Sequence, residues 1–174
     1  MEFDRQKFKA LVVYIAWKAG RRDWFGATKL NKVLWFAEAR AFVLHGKPIV
    51  GATYIRQQHG PVPKQIMPVR DELVRLGHIQ VFNEGKLNRI TADAKPDMSE
   101  FSKDEMQIID HWIEYIDKEH TATTISDESH DYAWSIAVMG EEIPLYAILA
   151  ERIREPTDQE LERLKEKARA HGLM

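Results

Sequence analysis

The chain has no cysteine. Disulfides, thiolate-bound zinc, iron–sulfur clusters and thiol catalysis are excluded, and a reducing compartment, the cytoplasm, is the expected setting. Long hydrophobic runs are also missing. The longest, Ala10 to Trp17, is too short to cross a bilayer, and the acidic start Met1-Glu2-Phe3-Asp4 lacks the basic region of a signal peptide. Nothing directs the chain to a membrane. Glycine-rich phosphate loops are absent too, because Gly26-Ala27-Thr28-Lys29 has neither the preceding strand nor the glycine spacing of a P-loop. No internal repeat or low-complexity tract interrupts the chain. What remains is 174 residues, 44% apolar and 30% charged. That is enough for one soluble globular domain whose core needs no covalent staple.

The net charge of -2 conceals an asymmetry. Between Lys18 and Arg75 there are 11 basic and 4 acidic residues; between Asp97 and Glu142 there are 2 basic and 13 acidic. Such segments either meet a charged partner or dock on each other across a shared core.

Apolar residues recur mostly at helical spacing. Asp4 caps a first helix carrying Phe8, Leu11, Val12, Ile15 and Ala19, which Gly20 ends. Thr28 is expected to cap a second, with Leu30, Val33, Leu34, Ala37, Ala41 and Leu44 on one stripe, ending at Gly46 and Pro48. Ala52 to Gln57 alternates like a short strand, which Gly60-Pro61-Val62-Pro63 breaks. A third helix is expected from Pro63 to Leu76, kinked at Pro68 or beginning near Met67. His78 to Phe82 and Lys86 to Thr91 flank the turn Asn83-Glu84-Gly85 as a hairpin, which is expected to form one small antiparallel sheet with the Ala52 strand. After a linker, Ser102-Lys103-Asp104-Glu105 is a capping box opening a helix with Ile108, Ile109, Trp112, Ile113 and Ile116. Short helices follow over Ala122 to Asp131 and Tyr132 to Met139. Thr157-Asp158-Gln159-Glu160 is a second capping box, with Leu161, Leu164 and Ala168 as a thin stripe behind it. The predicted fold is mainly α with a small antiparallel β-sheet (α+β), a compact single-domain helical bundle with a β-hairpin. Residues 1–155 form the globular domain and 156–174 a charged amphipathic C-terminal helix.

Catalytic constellations are weak. None of the seven histidines forms a His-Glu-x-x-His pair. His111, Glu114 and His120 come closest, on a helix whose acids equally suit a solvated face. Ser126-Asp127-Glu128-Ser129-His130 holds every residue type of a hydrolase triad, but adjacent helical residues point in different directions. A winged-helix reading has more support, from the order helix, turn, helix, hairpin across residues 28 to 91 and from Lys64, Arg70 and Arg75. Against it stand a pI of about 6.4, Asp71 and Glu72 on the same helix, and Glu84 at the wing tip.

The most informative stretch is Thr28 to Pro63. It contains Lys29-Leu30-Asn31-Lys32-Val33-Leu34-Trp35-Phe36-Ala37, then His45-Gly46-Lys47-Pro48-Ile49-Val50-Gly51, Thr53-Tyr54-Ile55-Arg56 and His59-Gly60-Pro61-Val62-Pro63. These resemble, in order, the KLNKLLYFA helix, the YGRPITG turn, the TYIR strand and the YGPVP bend of the Panacea domain, the family of SocA-like antitoxins. Histidine stands at positions 45 and 59 where the family usually has Tyr or Phe, one flat side chain for another. Further on, Phe101-Ser102-Lys103-Asp104-Glu105 is similar to the family's LSxxE helix start. Ile125-Ser126-Asp127-Glu128-Ser129-His130 with Ala133-Trp134 is similar to its LSxxSH…AW segment, and Ile143-Pro144-Leu145-Tyr146 to its late IPY element. The resemblance covers about residues 5 to 150.

The resemblance implies a protein that neutralises a cognate toxin, with no cofactor, no metal and no catalysis. The expected partner is that protein toxin, bound directly or delivered to a protease or chaperone; a homodimer stays open, and neither DNA nor a membrane is expected, with a winged-helix regulator as the alternative. Most motif residues have a plain structural use: Leu30, Val33, Leu34 and Ala37 as core, Gly46, Gly51 and Gly60 in turns. Tyr54, Arg56, His59, Pro61 and Trp134 are the candidate partner-binding residues, because rings and Arg dominate binding hot spots and a proline-held loop loses little entropy on docking. The competing use of Trp134 with His130 is to pack the second half of the chain onto the first.

Overall fold

The computed structural model describes residues 2–85 and 87–152, with Glu162, Lys165, Glu166 and Arg169. The second capping box, the Leu161 stripe and the boundary between residues 155 and 156 lie outside the described residues. Among those described, helices dominate, with small antiparallel sheets, as the apolar periodicity predicts.

Helix α1 (Arg5–Ala19) starts where Asp4 accepts the Lys7 N–H, at 2.9 Å. Helix α2 (Ala27–His45) is the centre of the fold, and Leu30, Val33, Leu34 and Trp35 on it are buried. It begins before Thr28, with Gly26 as its N-cap. A side chain on Gly26 would meet Leu87 and the Asn88 carbonyl, so the bare glycine is what lets a later strand press against this helix start.

Strands β1 (Tyr54–Gln57) and β2 (Gly60–Pro63) form a hairpin, with Gln57 opposite Gly60. The segment expected to break the strand is thus its partner. Lys64 N–H donates to the Thr53 carbonyl at 2.8 Å, which fixes the phase of the ladder. Alternate residues turn their N–H to the neighbouring strand, so Pro61 and Pro63 turn their donor-less nitrogens to the open edge. Two prolines therefore cost the hairpin nothing and leave its edge without donors for a further strand.

Helix α3 (Ile66–Arg75) follows; of the two expected starts the one near Met67 holds, since Pro63 belongs to β2. Pro68 lies in its first turn, where no N–H has an intrahelical acceptor, so it ends nothing. Strands β3 (Gln80–Glu84) and β4 (Leu87–Thr91) pair as the predicted hairpin. They do not join β1. That strand instead lies between β2 and the short β5 (Glu142–Ile143), giving separate three-stranded and two-stranded sheets. The backbone groups of β1 that the hairpin was expected to satisfy are met from the far end of the chain: Arg56 N–H donates to the Glu141 carbonyl and Gly140 N–H to the Arg56 carbonyl, both at 2.9 Å.

Helix α4 (Lys103–Glu119) opens on the predicted capping box, with Ser102 and Glu105 bonded reciprocally. Helices α5 (Ala122–Glu128) and α6 (Tyr132–Ile136) and a 3₁₀ helix (Leu145–Arg152) complete the described chain. Among the described residues, no helix is long and apolar enough to cross a membrane.

Of the two readings of the charge asymmetry, mutual docking is realised in the contacts. Arg22 holds Glu114 and Asp117 of α4 at 2.5 and 2.9 Å. Lys18 holds Asp110 at 2.7 Å, and Lys7 holds Glu105 at 2.8 Å.

One buried acid is held by backbone instead of by a cation. Glu38 is fully buried on α2 and accepts the N–H groups of Ile49 and Val50 at 2.8 and 3.0 Å, with Gly51 and Ala52 also bonded to it. The loop after α2 is therefore wrapped around one carboxyl. Burial outweighs these four bonds and pushes its pKa up to about 7. Between about pH 4.5 and 7 the folded state then holds a proton that the unfolded state has lost, so this contribution to stability falls as pH rises through that window. The loss is on the order of 3 kcal/mol. Urea titrations across the window are expected to show this decline in the native chain and a flatter profile in Glu38→Gln.

A candidate partner-binding face

Side chains of β1 alternate. Tyr54 and Arg56 face one way, Ile55 and Gln57 the other. Tyr54 is 2% exposed and packs edge-on against Trp35, with ring centroids 4.9 Å apart. Pro61, opposite Arg56, is buried as well. Expecting these two at the contact surface is corrected by the structure, and the reason is local. The face of β1 and β2 that carries them lies on α2, leaving only the tip of the hairpin free.

That tip is held from three sides. Arg56 lies over the Trp134 indole at 3.9 Å and donates to the Ala137 and Ser135 carbonyls at 2.6 and 3.3 Å. The Trp134 indole N–H donates to the Gln57 carbonyl at 3.1 Å, and the His130 ring stacks on the same indole with centroids 3.9 Å apart. From below, the Lys32 ammonium donates to the His59 carbonyl. His59 itself is exposed, while Arg56 and Trp134 are half-buried. The structure thus brings Arg56, His59 and Trp134 to one corner and leaves Tyr54 and Pro61 beneath it. Trp134 also does what its structural alternative required, tying the second half of the chain to the first.

Asp131 caps α6 by accepting the Trp134 N–H at 2.8 Å and also accepts the Trp35 indole N–H at 3.1 Å, which fixes the corner to α2. Lys32, 1% exposed, is the buried charge at the centre. Burial pushes its pKa down to about 7, against the pull of Asp131. Desolvation first, then the Lys32 charge, holds His130 below the usual histidine range. Reading the sequence missed Lys32, Glu38 and Asp131. For the first two a signal existed, since both fall among the apolar residues of α2 at helical spacing, where a solvated charge has no place.

The triad-like segment does not converge. Ser126 Oγ donates to the Ala122 carbonyl, Ser129 Oγ to the Ser126 carbonyl, and His130 lies on Trp134. Among the described residues, no group of three or more metal-ligating side chains is placed to hold an ion. Two of the three basic residues of the winged-helix reading are paired with acids. Lys64 precedes α3 and pairs with Glu142, Arg70 pairs with Asp71, and a β-hairpin separates α2 from α3 in place of a turn.

Two substitutions probe the corner. Gly60 has φ +97°, and a methyl group there would overlap Ser129 Oγ and Lys32 Nζ. Gly60→Ala is expected to lower stability by about 2–4 kcal/mol, from backbone strain plus overpacking, read as an earlier urea midpoint. Lys32 in the folded chain loses its proton near pH 7 and in the unfolded chain near 10.5, so native stability should rise across that interval. The gain, on the order of 4 kcal/mol, should be absent in Lys32→Met.

Compared with known proteins, residues 30–135 match the family model described as antitoxin SocA-like, Panacea domain. No curated protein and no solved structure matches the chain.

Proposed function

The chain belongs to the family of SocA-like antitoxins with a Panacea domain, and on that premise we propose that it neutralises a protein toxin by binding it directly through the hairpin corner. One observation carries this reading. The corner presents Arg56, His59 and Trp134 together on backbone already fixed by Lys32, Gln57 and Gly60. Little conformational freedom is left to lose when a partner docks there, and Arg and Trp are residue types that concentrate binding energy. The work assigned to the corner is recognition: a ring and a guanidinium edge offered to another protein surface, with no cofactor and no bond made or broken. The cytoplasm, where cysteine-free chains give up nothing, is the proposed setting.

The test is co-expression with the toxin encoded beside this gene. His59 is exposed, so His59→Ala should keep the native circular dichroism spectrum; Arg56→Ala, which loses its bonds to the Ala137 and Ser135 carbonyls, should keep it too with an earlier urea midpoint. Each is expected to weaken the complex by about 1–3 kcal/mol, and the pair to abolish growth rescue at low antitoxin dose. Full rescue by a folded double variant would move the contact surface elsewhere.

A further inference from the structure

Helices α2 and α4 pack along much of their length, and on their outer seam they leave an open groove of about 610 Å³. Arg40, Leu44 and His45 form the wall from α2, and the stretch from Asp104 to Trp112 forms the wall from α4. A second hollow of about 330 Å³ shares Arg40 and Trp112 and reaches Asp131, so the trough runs on to the base of α6 and the corner described above.

Three observations bear on what the groove accepts. Its floor is apolar and aromatic: Trp112 stacks on Phe36 with centroids 4.7 Å apart, and Leu44 is 50% exposed. Its one arginine, Arg40, is exposed and has no hydrogen bond or ion pair among the described residues. The Trp112 indole N–H is buried in the seam with no acceptor, an arrangement that costs free energy until one arrives. A free guanidinium beside an aromatic floor lacks one complement, an acceptor carrying negative charge next to an apolar group. Charge also sets a direction. Of the groups lining the groove, Asp104 is the anion, at the end away from Phe36, and Arg40 is the permanent cation, so an acid is placed at Arg40.

We propose that this groove docks an extended segment of the toxin, with a carboxylate at Arg40 and a large aliphatic or aromatic side chain on the floor between Leu44 and Trp112. Length agrees with an extended segment. Asp104 to Trp112 covers about 12 Å of helix at 1.5 Å per residue, which holds three or four residues at about 3.3 Å each. The Arg–carboxylate pair would form beside a low-dielectric wall, where charge-assisted bonds are strongest. Continuity with the hairpin corner makes the groove a second stretch of one contact surface. The naming of a toxin as occupant rests on the antitoxin reading; the chemistry of the groove does not.

The experiment therefore uses no toxin. The full chain, ¹⁵N-labelled, is titrated with acetyl-Leu-Ala-Glu-amide, and the Trp112 indole N–H cross-peak, assigned by its loss in Trp112→Phe, is followed. A saturable shift with a Kd of about a millimolar is expected for so short a probe. Acetyl-Leu-Ala-Gln-amide should bind about tenfold more weakly, the difference one charge-assisted bond makes. Arg40→Ala, at an exposed position, should leave the rest of the spectrum native and make the two peptides equal. A stationary Trp112 peak, equal affinity for the two peptides in the native chain, or a charge preference that survives Arg40→Ala would each overturn the proposal. None of these outcomes touches the co-expression result, so the two readings fail separately.

Discussion

Helix α2 is enclosed on nearly all sides, and a helix so enclosed can carry a charge only where neighbouring backbone satisfies it. Three of its residues do so: Lys29 donates to the Asp117 carbonyl at 3.3 Å, and Glu38 and Lys32 meet the condition in opposite senses. Glu38 collects the N–H groups of the loop that follows the helix, and Lys32 gives its ammonium to a carbonyl in the hairpin. Each replaces a stretch of secondary structure that the chain does not form. The loop at residues 49–52 has no strand partner for its amides, and a carboxyl serves in place of one. The carbonyl at the hairpin tip has no strand partner, and a lysine reaches up to it from α2. Remove either and the loss is more than one hydrogen bond, because the freed backbone groups stay buried. The candidate corner inherits its rigidity from this arrangement.

The same enclosure accounts for the uneven use of charge. Most cations of the first half that face the second are bound to α4 acids, at distances between 2.5 and 2.9 Å. Half-buried pairs of this kind recover part of their Coulomb attraction only after meeting the cost of desolvating both ions. Their consequence is more for orientation, since they register α1 and the α1–α2 loop against α4. They also spend the field that a net basic segment would otherwise offer to a polyanion. Under the proposed reading, recognition uses local groups: Arg40 in the α2–α4 groove, and His59 beside the Arg56 and Trp134 pair.

Much of this was legible in the residues. The caps at Asp4 and Ser102, the apolar stripes of α1, α2 and α4, and the β3–β4 hairpin follow from period and turn chemistry, which are local properties. The errors share a cause. Gly60-Pro61-Val62-Pro63 reads as a breaker because proline removes a donor, and only the ladder phase, set by Lys64 and Thr53, reveals that the missing donors face outward. The partner of β1 could not be chosen from sequence, because Glu142 and Ile143 are too short a strand to show alternation and lie far along the chain. At the site, residue type alone could not separate Tyr54 from Arg56. They share one face of β1, yet one is covered by Trp35 and the other meets Trp134 near the rim.

Under the proposed reading, rings on a fixed frame let one surface change its preference without changing the fold. A surface built on net charge discriminates weakly and changes with salt, whereas one built on a few rings changes its preference when one flat side chain replaces another. Position 59 shows how this can occur without disturbing the fold. The Lys32 bond is to the His59 backbone carbonyl, not to the imidazole, so the residue at that position can vary while the tip keeps its anchor. Gly60 next to it cannot vary in the same way, since its left-handed backbone and its closeness to Ser129 leave no space for a side chain. At position 59 the frame thus uses only the backbone carbonyl, and the side chain there is left over for specificity.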